Sequence, residues 1–492
     1  MAEPVQRPTE EPLSRWGGWK APEYLKLGSG SGNRRLVAGS AVLGLVVAAG
    51  AVLAAGPWDS GQRKAERDRA AVQQRAGGAH HEGNAPDGPE PAPSAPAVLS
   101  ALGATAGLTP AGASGLKGVL DPLLDTPALG SVRTAVVVDA ATGKQLYARG
   151  ATTPMTPAST VKIATTAAAL SALGPAHRIA TTVVLSPDST TLTLVGGGDP
   201  TLDEAALRSL AADTARSLRD GGTGRVRLAY DTSRYSGPAR HPIGPNENIA
   251  PMSALMADEG RLDGSDRGPA LRSGDPAGDA ARSFAELLGD AGAATHAPVS
   301  GKAAKGSRTV ATHWSKPLSA LVERALTNSD NDIAEALARQ TALKAGEPAS
   351  FAGSRRAVTA QLKTLGMPLA GAWLADGSGL DRADKVSAGL LARLLALAAG
   401  PDHPELRPVL TGLPVAGFSG TLGDRYTATS PATGLIRAKT GTLTGVNSLA
   451  GTTVDAQGRL LAFAFLASGT TSPAEAEASL DTLATTLTKG TR

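Results

Sequence analysis

Short strand-like runs of hydrophobic residues lie at both ends of a folded stretch that begins near residue 115. At its start, segments 132–138 and 145–148 are rich in β-branched and apolar residues, and the turn residues between them predict a β-hairpin. At its end, segments 435–440, 448–454 and 460–467 predict three further strands. Because helical patterns fill the sequence between them, we expect an α/β (α+β) fold whose sheet pairs distant parts of the chain.

Helical periodicity dominates the middle of this stretch. An apolar helix is predicted from Ser159 to about Leu173, where Gly174 and Pro175 end it. Further helices are predicted at 202–218, at 318–344 with an interruption at 327–331, at 386–399 and at 473–487. Short strands are predicted around the first of these, at 181–185, 191–195 and 225–230.

The first 114 residues have a different character. Residues 1–35 are polar and rich in Gly, Ser and Pro, whereas residues 57–114 are rich in Ala, Pro and Gly, so we expect a disordered tail and a linker. Residues 36–56 carry no charge, and a helix of that length spans about 30 Å, the thickness of a bilayer core. A leader of 35 residues is long for a signal peptide, so an uncleaved membrane anchor is favoured. A signal cleaved near Ala54-Ala55-Gly56 is the alternative, and it would give a secreted protein.

Composition and charge exclude several classes of function. The chain has no cysteine, which excludes thiol catalysis, disulfides and cysteine-ligated zinc. The net charge is only +4, and the basic residues do not cluster with aromatic ones, so we expect no nucleic-acid partner. There is neither a His-Glu-x-x-His motif nor a Gly-x-Ser-x-Gly motif, which argues against a zinc peptidase and a histidine-based serine hydrolase. We expect no metal and no cofactor.

Three short motifs occur in one order: Ser159-Thr160-Val161-Lys162, then Ser329-Asp330-Asn331, then Lys439-Thr440-Gly441. Together they indicate a serine acyl-transferase that uses lysine as its base. Ser159 and Lys162 are three residues apart at a predicted helix start, so their side chains share one face. A lysine can accept the serine proton only when neutral, which requires its pKa to fall by about 3 units through burial or a nearby cation such as Lys439.

Ser-x-x-Lys alone is a weak signal, because Ser114-Gly115-Leu116-Lys117 also fits it. We interpret Ser114 as a helix cap beside a solvated lysine, since it lies at the edge of the linker with no hairpin before it. Ser-Asp-Asn alone usually caps a helix, and Lys-Thr-Gly alone can end a strand. The order of all three motifs, each at a predicted element boundary, is what singles out Ser159.

These motifs resemble those of the penicillin-binding DD-peptidases, and in particular the low-molecular-mass class C group of D-alanyl-D-alanine carboxypeptidases and endopeptidases. The resemblance covers about 125–490 and extends to three further segments: 196–202, 376–380 and 444–446. It implies a penicillin-binding/β-lactamase-like transpeptidase domain, with an antiparallel sheet flanked by helices and an inserted smaller domain. The catalytic domain would comprise 115–177 and 311–492. The accessory domain would comprise 178–310, and we expect it to be shortened, because few residues separate the first two motifs.

The resemblance also implies roles for the motif residues. Ser159 would attack the carbonyl between two D-alanines, with Lys162 as general base, while Ser329 and Lys439 relay the proton to the leaving amine. Substrate binding would fall to four residues: Asn331, Thr440, Gly441 and Thr442. The backbone N–H groups of Ser159 and Thr442 would form the oxyanion hole, and penicillins would acylate the same serine. Segment 376–379 is predicted as a tight turn near the site.

The predicted function is therefore a serine DD-peptidase that acts on the stem peptides of peptidoglycan and is inhibited by β-lactams. The substrate places the catalytic domain outside the cytoplasmic membrane, anchored by residues 36–56. A β-lactamase shares the three motifs, but the chain has no Glu-x-x-Leu-Asn segment to supply its deacylating base. A catalytically weak penicillin-binding or wall-binding sensor stays open as the alternative.

Overall fold

The structure is a computed structural model that describes residues 113–427 and 429–489, except for the side chains of residues 113 and 114. The predicted tail at 1–35, the predicted membrane span at 36–56 and nearly all of the predicted linker lie outside the described residues. Within the described residues, no helix combines the length and the apolar character that crossing a membrane requires. The anchor therefore stays a prediction.

Five antiparallel strands form the first sheet, in the order β2-β1-β10-β9-β8. These are β1 (Val132–Asp139), β2 (Gln145–Arg149), β8 (Arg437–Leu443), β9 (Val446–Val454) and β10 (Leu460–Ser468). The N-terminal strand β1 pairs with β10 along its whole length, from Val132 opposite Ser468 to Asp139 opposite Leu461. The prediction that the sheet pairs distant parts of the chain is thus confirmed.

Helices cover both faces of this sheet: α1 (Ala113–Leu124), α2 (Lys162–Leu173), α5 (Leu318–Thr327), α6 (Asn331–Lys344), α7 (Phe351–Thr364), α8 (Ala388–Ala399), α9 (Arg407–Thr411) and α10 (Pro473–Thr488). Successive side chains of a strand point to opposite faces, so Val136 and Val138 pack in one core with α2, α5, α6 and α8. Ala135 and Val137 pack in the other core with α1 and α10. The predicted antiparallel sheet flanked by helices is confirmed.

A second five-stranded sheet has the order β6-β5-β4-β3-β7 and its own core. It comprises β3 (Ala180–Leu185), β4 (Thr191–Val195), β5 (Arg227–Asp231), β6 (Val299–Ser300) and β7 (Arg308–Trp314), with helices α3 (Glu204–Asp220) and α4 (Pro276–Asp290). Residues 311–314 belong to this sheet and not to the catalytic part, because β7 pairs with β3 up to Trp314. The segment 232–275, between β5 and α4, contains no strand and no α-helix.

Candidate active site

Ser159 lies in a short 3-10 helix, Ala158–Val161, that leads directly into α2. The preceding residue, Ala158, is fully buried and has a φ of 49°, a left-handed conformation that is costly for a residue other than glycine. Gly379 packs against this turn so closely that a Cβ at Gly379 would lie 2.0 Å from the carbonyl oxygen of Ala158. The strained turn is therefore held in place by its neighbours, as is typical of a functional site.

Lys162 is the first residue of α2 and is completely buried. Its Nζ lies 3.1 Å from Ser159 Oγ, 2.6 Å from Asn331 Oδ1 and 2.6 Å from the carbonyl oxygen of Ser378. The last two oxygens can only accept hydrogen bonds, so in a neutral amine they take its two N–H groups. The lone pair then faces Ser159, whose O–H can donate to it. This is the geometry that a general base requires.

Burial lowers the pKa of Lys162 to about 8. The opposing influence comes from nearby carboxylates, with Asp376 first and then Asp330, which favour the charged form. The shift agrees in direction with the sequence-based requirement that a lysine base be partly neutral near physiological pH.

The second motif lies where α6 begins. Asp330 is the N-cap residue, and its carboxylate accepts from the backbone N–H of Ile333 at 2.9 Å. Ser329, immediately before it, has a φ of 58°, so the turn is strained like that at Ala158. Asn331, the first residue of α6, places Oδ1 on Lys162, while its Nδ2 donates to the carbonyl oxygen of Asn248 at 2.9 Å. The capping interpretation and the functional interpretation of this motif are thus compatible.

The third motif lies inside β8, and not at a strand end as the predicted strand 435–440 implied, because β8 continues its pairing with β9 to Leu443. Lys439 is fully buried and its Nζ donates to the carbonyl oxygen of Thr440 at 2.8 Å. Burial, aided by the charges of Lys162 and Arg425, lowers the pKa of Lys439 well below its usual value. Both motif lysines, Lys162 and Lys439, are therefore buried groups whose pKa is lowered.

Gly441 explains why the third motif needs a glycine. A Cβ at this position would lie 2.3 Å from Ser448 Oγ, 2.7 Å from the carbonyl oxygen of Pro157 and 3.1 Å from the backbone nitrogen of Ser159. The missing side chain lets β8 approach the nucleophile turn. The backbone of the third motif is thereby brought beside the backbone of the first.

A cleft of about 370 Å³ brings the motif residues together. Five of the eight predicted site residues line it: Ser159, Ser329, Asn331, Thr440 and Thr442. Lys162, Lys439 and Gly441 lie beneath its surface. Among the described residues, no hydrogen bond joins the Ser329 hydroxyl to Lys162 or Lys439, so their predicted proton relay stays a prediction.

The cleft also contains residues that the motifs did not indicate. Thr421 Oγ1 lies 2.8 Å from Thr440 Oγ1, and Thr442 donates its hydroxyl to Glu477 at 2.8 Å. Arg425 lines the same edge. A substrate carboxylate that binds beside Thr440 and Thr442 would therefore lie near the guanidinium of Arg425 as well as near the threonine hydroxyls.

Three buried residues behind Lys162 form a second unpredicted group. His241, Glu335 and Asp376 offer ligand atoms within 4.8 Å of one another, which resembles a metal-binding arrangement. All four carboxylate oxygens already accept hydrogen bonds, among them Gly377 N–H on Glu335 at 2.7 Å. The carboxylates thus hold the 376–379 turn, and they are not free to coordinate an ion in this arrangement. The Asp-Gly-Ser-Gly motif was the only sequence signal for this group.

The second Ser-x-x-Lys segment has a different setting. Ser114 and Lys117 belong to α1, and Lys117 is exposed to solvent, whereas Lys162 is completely buried. Burial of the lysine therefore distinguishes the two segments.

Comparison with known proteins shows that the chain is similar to carboxypeptidases. Residues 116–265 and 262–489 match the D-Ala-D-Ala carboxypeptidase 3 (S13) family. The chain is 38% identical over 400 residues to a carboxypeptidase of Mycobacterium tuberculosis, covering 77% of this chain and 85% of that one. It is 39% identical over 369 residues to carboxypeptidase DacB of Mycolicibacterium smegmatis, covering 72% and 79%.

The fold agrees with this match. Penicillin binding protein 4 of Haemophilus influenzae superposes with a TM-score of 0.63 at 23% identity, covering 75% of this chain and 98% of that one. The predicted fold class and the predicted class of enzyme, a serine-type D-Ala-D-Ala peptidase, are confirmed. From its sequence and its fold, the chain belongs to the D-Ala-D-Ala carboxypeptidase 3 (S13) family.

Proposed function

We propose that Ser159 is the nucleophile of this DD-peptidase and that Lys162 is its general base. The observation that carries the proposal is the set of contacts of Lys162, whose Nζ lies 3.1 Å from Ser159 Oγ and has two acceptor-only oxygens on its other sides. The Ser159 O–H proton passes to Nζ while Oγ forms a bond to the carbonyl carbon between two D-alanines. Collapse of the tetrahedral intermediate breaks the C–N bond, and the departing amine takes the proton that Nζ had accepted. Water then hydrolyses the ester on Ser159, which releases the acyl product and restores the hydroxyl.

The terminal carboxylate of the substrate binds at the edge of the cleft formed by Thr440 and Thr442. Arg425 lines this edge of the cleft and contributes a positive charge there. Arg425 is held by Asp481 through two hydrogen bonds of 3.1 and 2.8 Å, so its guanidinium is fixed in orientation. Ser329 and Asn331 line the same cleft, and we assign them to the leaving amine and to the peptide backbone of the substrate.

Peptidoglycan stem peptides are the substrates, and β-lactams acylate Ser159 as inhibitors. Names of similar proteins support both points, since a relative from an Actinomadura species is a D-alanyl-D-alanine carboxypeptidase. The Haemophilus penicillin binding protein 4 has also been solved in complex with a β-lactam. Such substrates lie outside the cytoplasmic membrane, which supports a catalytic domain anchored there by residues 36–56.

Fluorescent penicillin tests the nucleophile. The full chain should become covalently labelled, Ser159→Ala should not, and Ser114→Ala should label at the rate of the unaltered protein. Labelling of Ser159→Ala would overturn the assignment. Release of D-alanine from a peptide ending in D-Ala-D-Ala then separates a peptidase from a sensor, which would be acylated without turnover.

Cell fractionation tests the anchor. The full chain should stay with membranes after an alkaline wash, and a chain that begins at residue 57 should not. Recovery of a shortened soluble form from the medium would support the alternative, a signal cleaved near Ala54-Ala55-Gly56.

A further inference from the structure

The segment 232–275, inserted between β5 and α4, contacts the catalytic part directly behind Lys162. His241 forms a hydrogen bond with Asp376, and the carbonyl oxygen of Asn248 accepts one from Asn331. Asp376 holds the turn that contains the Ser378 carbonyl, and this carbonyl and Asn331 Oδ1 are the two acceptors on Lys162 Nζ. We infer that this segment, through His241 above all, positions Lys162 so that its lone pair faces Ser159. This inference rests on the proposed role of Ser159 and Lys162.

The first connection fixes an amide. Asn331 could present either Oδ1 or Nδ2 to Lys162, and only the oxygen can accept from an N–H. Its Nδ2 donates to the backbone carbonyl of Asn248 at 2.9 Å, so Oδ1 is the atom that faces Nζ. The inserted segment thereby decides which end of the amide meets the base.

The second connection fixes a carbonyl. The Ser378 oxygen that accepts from Lys162 belongs to the turn 376–379, and the Asp376 carboxylate holds that turn from inside. Its Oδ1 accepts from the N–H groups of Ser378 and Gly379 at 3.0 and 2.6 Å, and its Oδ2 accepts from that of Asp381 at 2.8 Å. His241 Nε2 lies 2.8 Å from the same Oδ2 and is the contact to Asp376 that comes from the inserted segment.

The ring of His241 has a defined orientation. Its Nδ1 accepts from the backbone N–H of Ile243 at 3.1 Å, so Nε2 carries the proton and donates to Asp376. The side chains of His241 and Asp376 are each only 1% exposed, and the ring packs edge-on against Phe351 at 5.4 Å. A buried donor in this position leaves the carboxylate little freedom to turn, so the Ser378 carbonyl stays directed at Lys162.

His241→Phe removes the donor while keeping a ring of similar size. In the full chain, we expect acylation by fluorescent penicillin at pH 7.5 to slow about tenfold, because small displacements of a catalytic group reduce rates on this scale. We also expect the rise of the rate with pH to move to higher pH, because the Asp376 carboxylate, which favours the charged form of Lys162, loses a hydrogen bond that disperses its charge. His241→Gln, whose amide can still donate to Asp376, should restore the rate to within about twofold.

A second variant and a control make the test independent of folding. His241→Asn accepts from Ile243 as Nδ1 does but is too short to reach Asp376, so it should behave like His241→Phe. His403→Phe removes a histidine–carboxylate pair with the same 2.8 Å separation that is about 30% exposed, and it should leave the profile unchanged. Rates are divided by the fraction of protein that is finally labelled, which corrects for unfolded material.

Each outcome bears on the inference. A slowed rate with a displaced profile in His241→Phe and His241→Asn, restored in His241→Gln, supports it. An unchanged rate and profile, or an equal loss in all three variants without a displaced profile, overturns it in favour of a packing role. Labelling that persists in Ser159→Ala would instead overturn the proposed function, so the two failures are distinguishable.

Discussion

At the scale of single residues, the burial of Lys162 predicts a pH dependence. Its pKa in the folded protein is about 8, so the neutral base becomes more abundant as the pH rises through that value. We expect the rate constant for acylation by penicillin to increase from pH 6.5 to 9, with its midpoint near 8. Stopped-flow labelling across this range measures it, and a flat profile would contradict the assignment of Lys162 as the base.

The close packing around Gly441 predicts that adding a single methyl group there disturbs the site. In Gly441→Ala, the new Cβ would meet Ser448 Oγ and the backbone of Pro157 and Ser159, so β8 and the nucleophile turn must separate. We expect acylation to slow about tenfold or more because the nucleophile is displaced. Gly224→Ala is the matched control, since no atom lies within 4 Å of its Cβ position, and similar rates for the two variants would contradict this account.

At the scale of elements, helix α6 connects the second motif to the 376–379 turn. Asp330 caps the helix, Asn331 contacts Lys162, and Glu335 one turn later accepts from Gly377 and Ser378 at 2.7 and 3.1 Å. One helix thus orients both of the acceptors that surround the base. The buried residues of this helix include Asp332, Glu335 and Arg339, so hydrophobic residues alone do not mark its buried face.

The buried ion pair of Arg339 with Glu335 is expected to contribute to the stability of helix α6. Arg339 pairs with Glu335 at 2.7 Å, and both side chains are at most 1% exposed. Arg339→Met leaves a buried carboxylate without its cation, so we expect a loss of about 3 kcal/mol in the free energy of unfolding, measured with urea. Arg356→Met, which breaks a more exposed pair with Glu347, should lose far less, and equal losses would contradict the role of burial.

At the scale of the whole molecule, buried ion pairs join the inserted segment to the catalytic helices. Glu259 accepts from Arg261 at 3.0 Å within the segment and pairs with Arg324 of α5 at 2.6 Å. Arg272 lies 3.1 Å from Asp332 of α6. The cleft wall therefore depends on charges that come from both parts of the chain.

Glu259 gives this arrangement a pH dependence. Burial raises its pKa to about 7, well above that of an unfolded glutamate, so the folded state binds the proton more tightly. Its contribution to stability is fully present below about pH 4.5 and is lost as the pH rises through 7. Relative to the unaltered protein, Glu259→Gln should therefore gain about 2 kcal/mol between pH 5 and 8 in urea unfolding, and a constant difference would contradict it.

The sequence by itself determined the local features and the reaction class. Runs of β-branched and apolar residues predicted β1, β2, β9 and β10, and helical periodicity predicted α2, α8 and α10, because those patterns follow from strand and helix geometry. The order of the three motifs predicted the nucleophile and the family. Both kinds of signal are contained in short stretches of chain, so they need no knowledge of distant contacts.

The tertiary structure alone decided which groups surround the base. His241 and Asn248 contact the groups around Lys162 although they are far from it in sequence, and no local pattern marks a histidine or a backbone carbonyl as a partner. Burial is likewise a property of the whole fold. It separates the buried Lys162 from the exposed Lys117 of the second Ser-x-x-Lys segment, and through desolvation it lowers the pKa of Lys162.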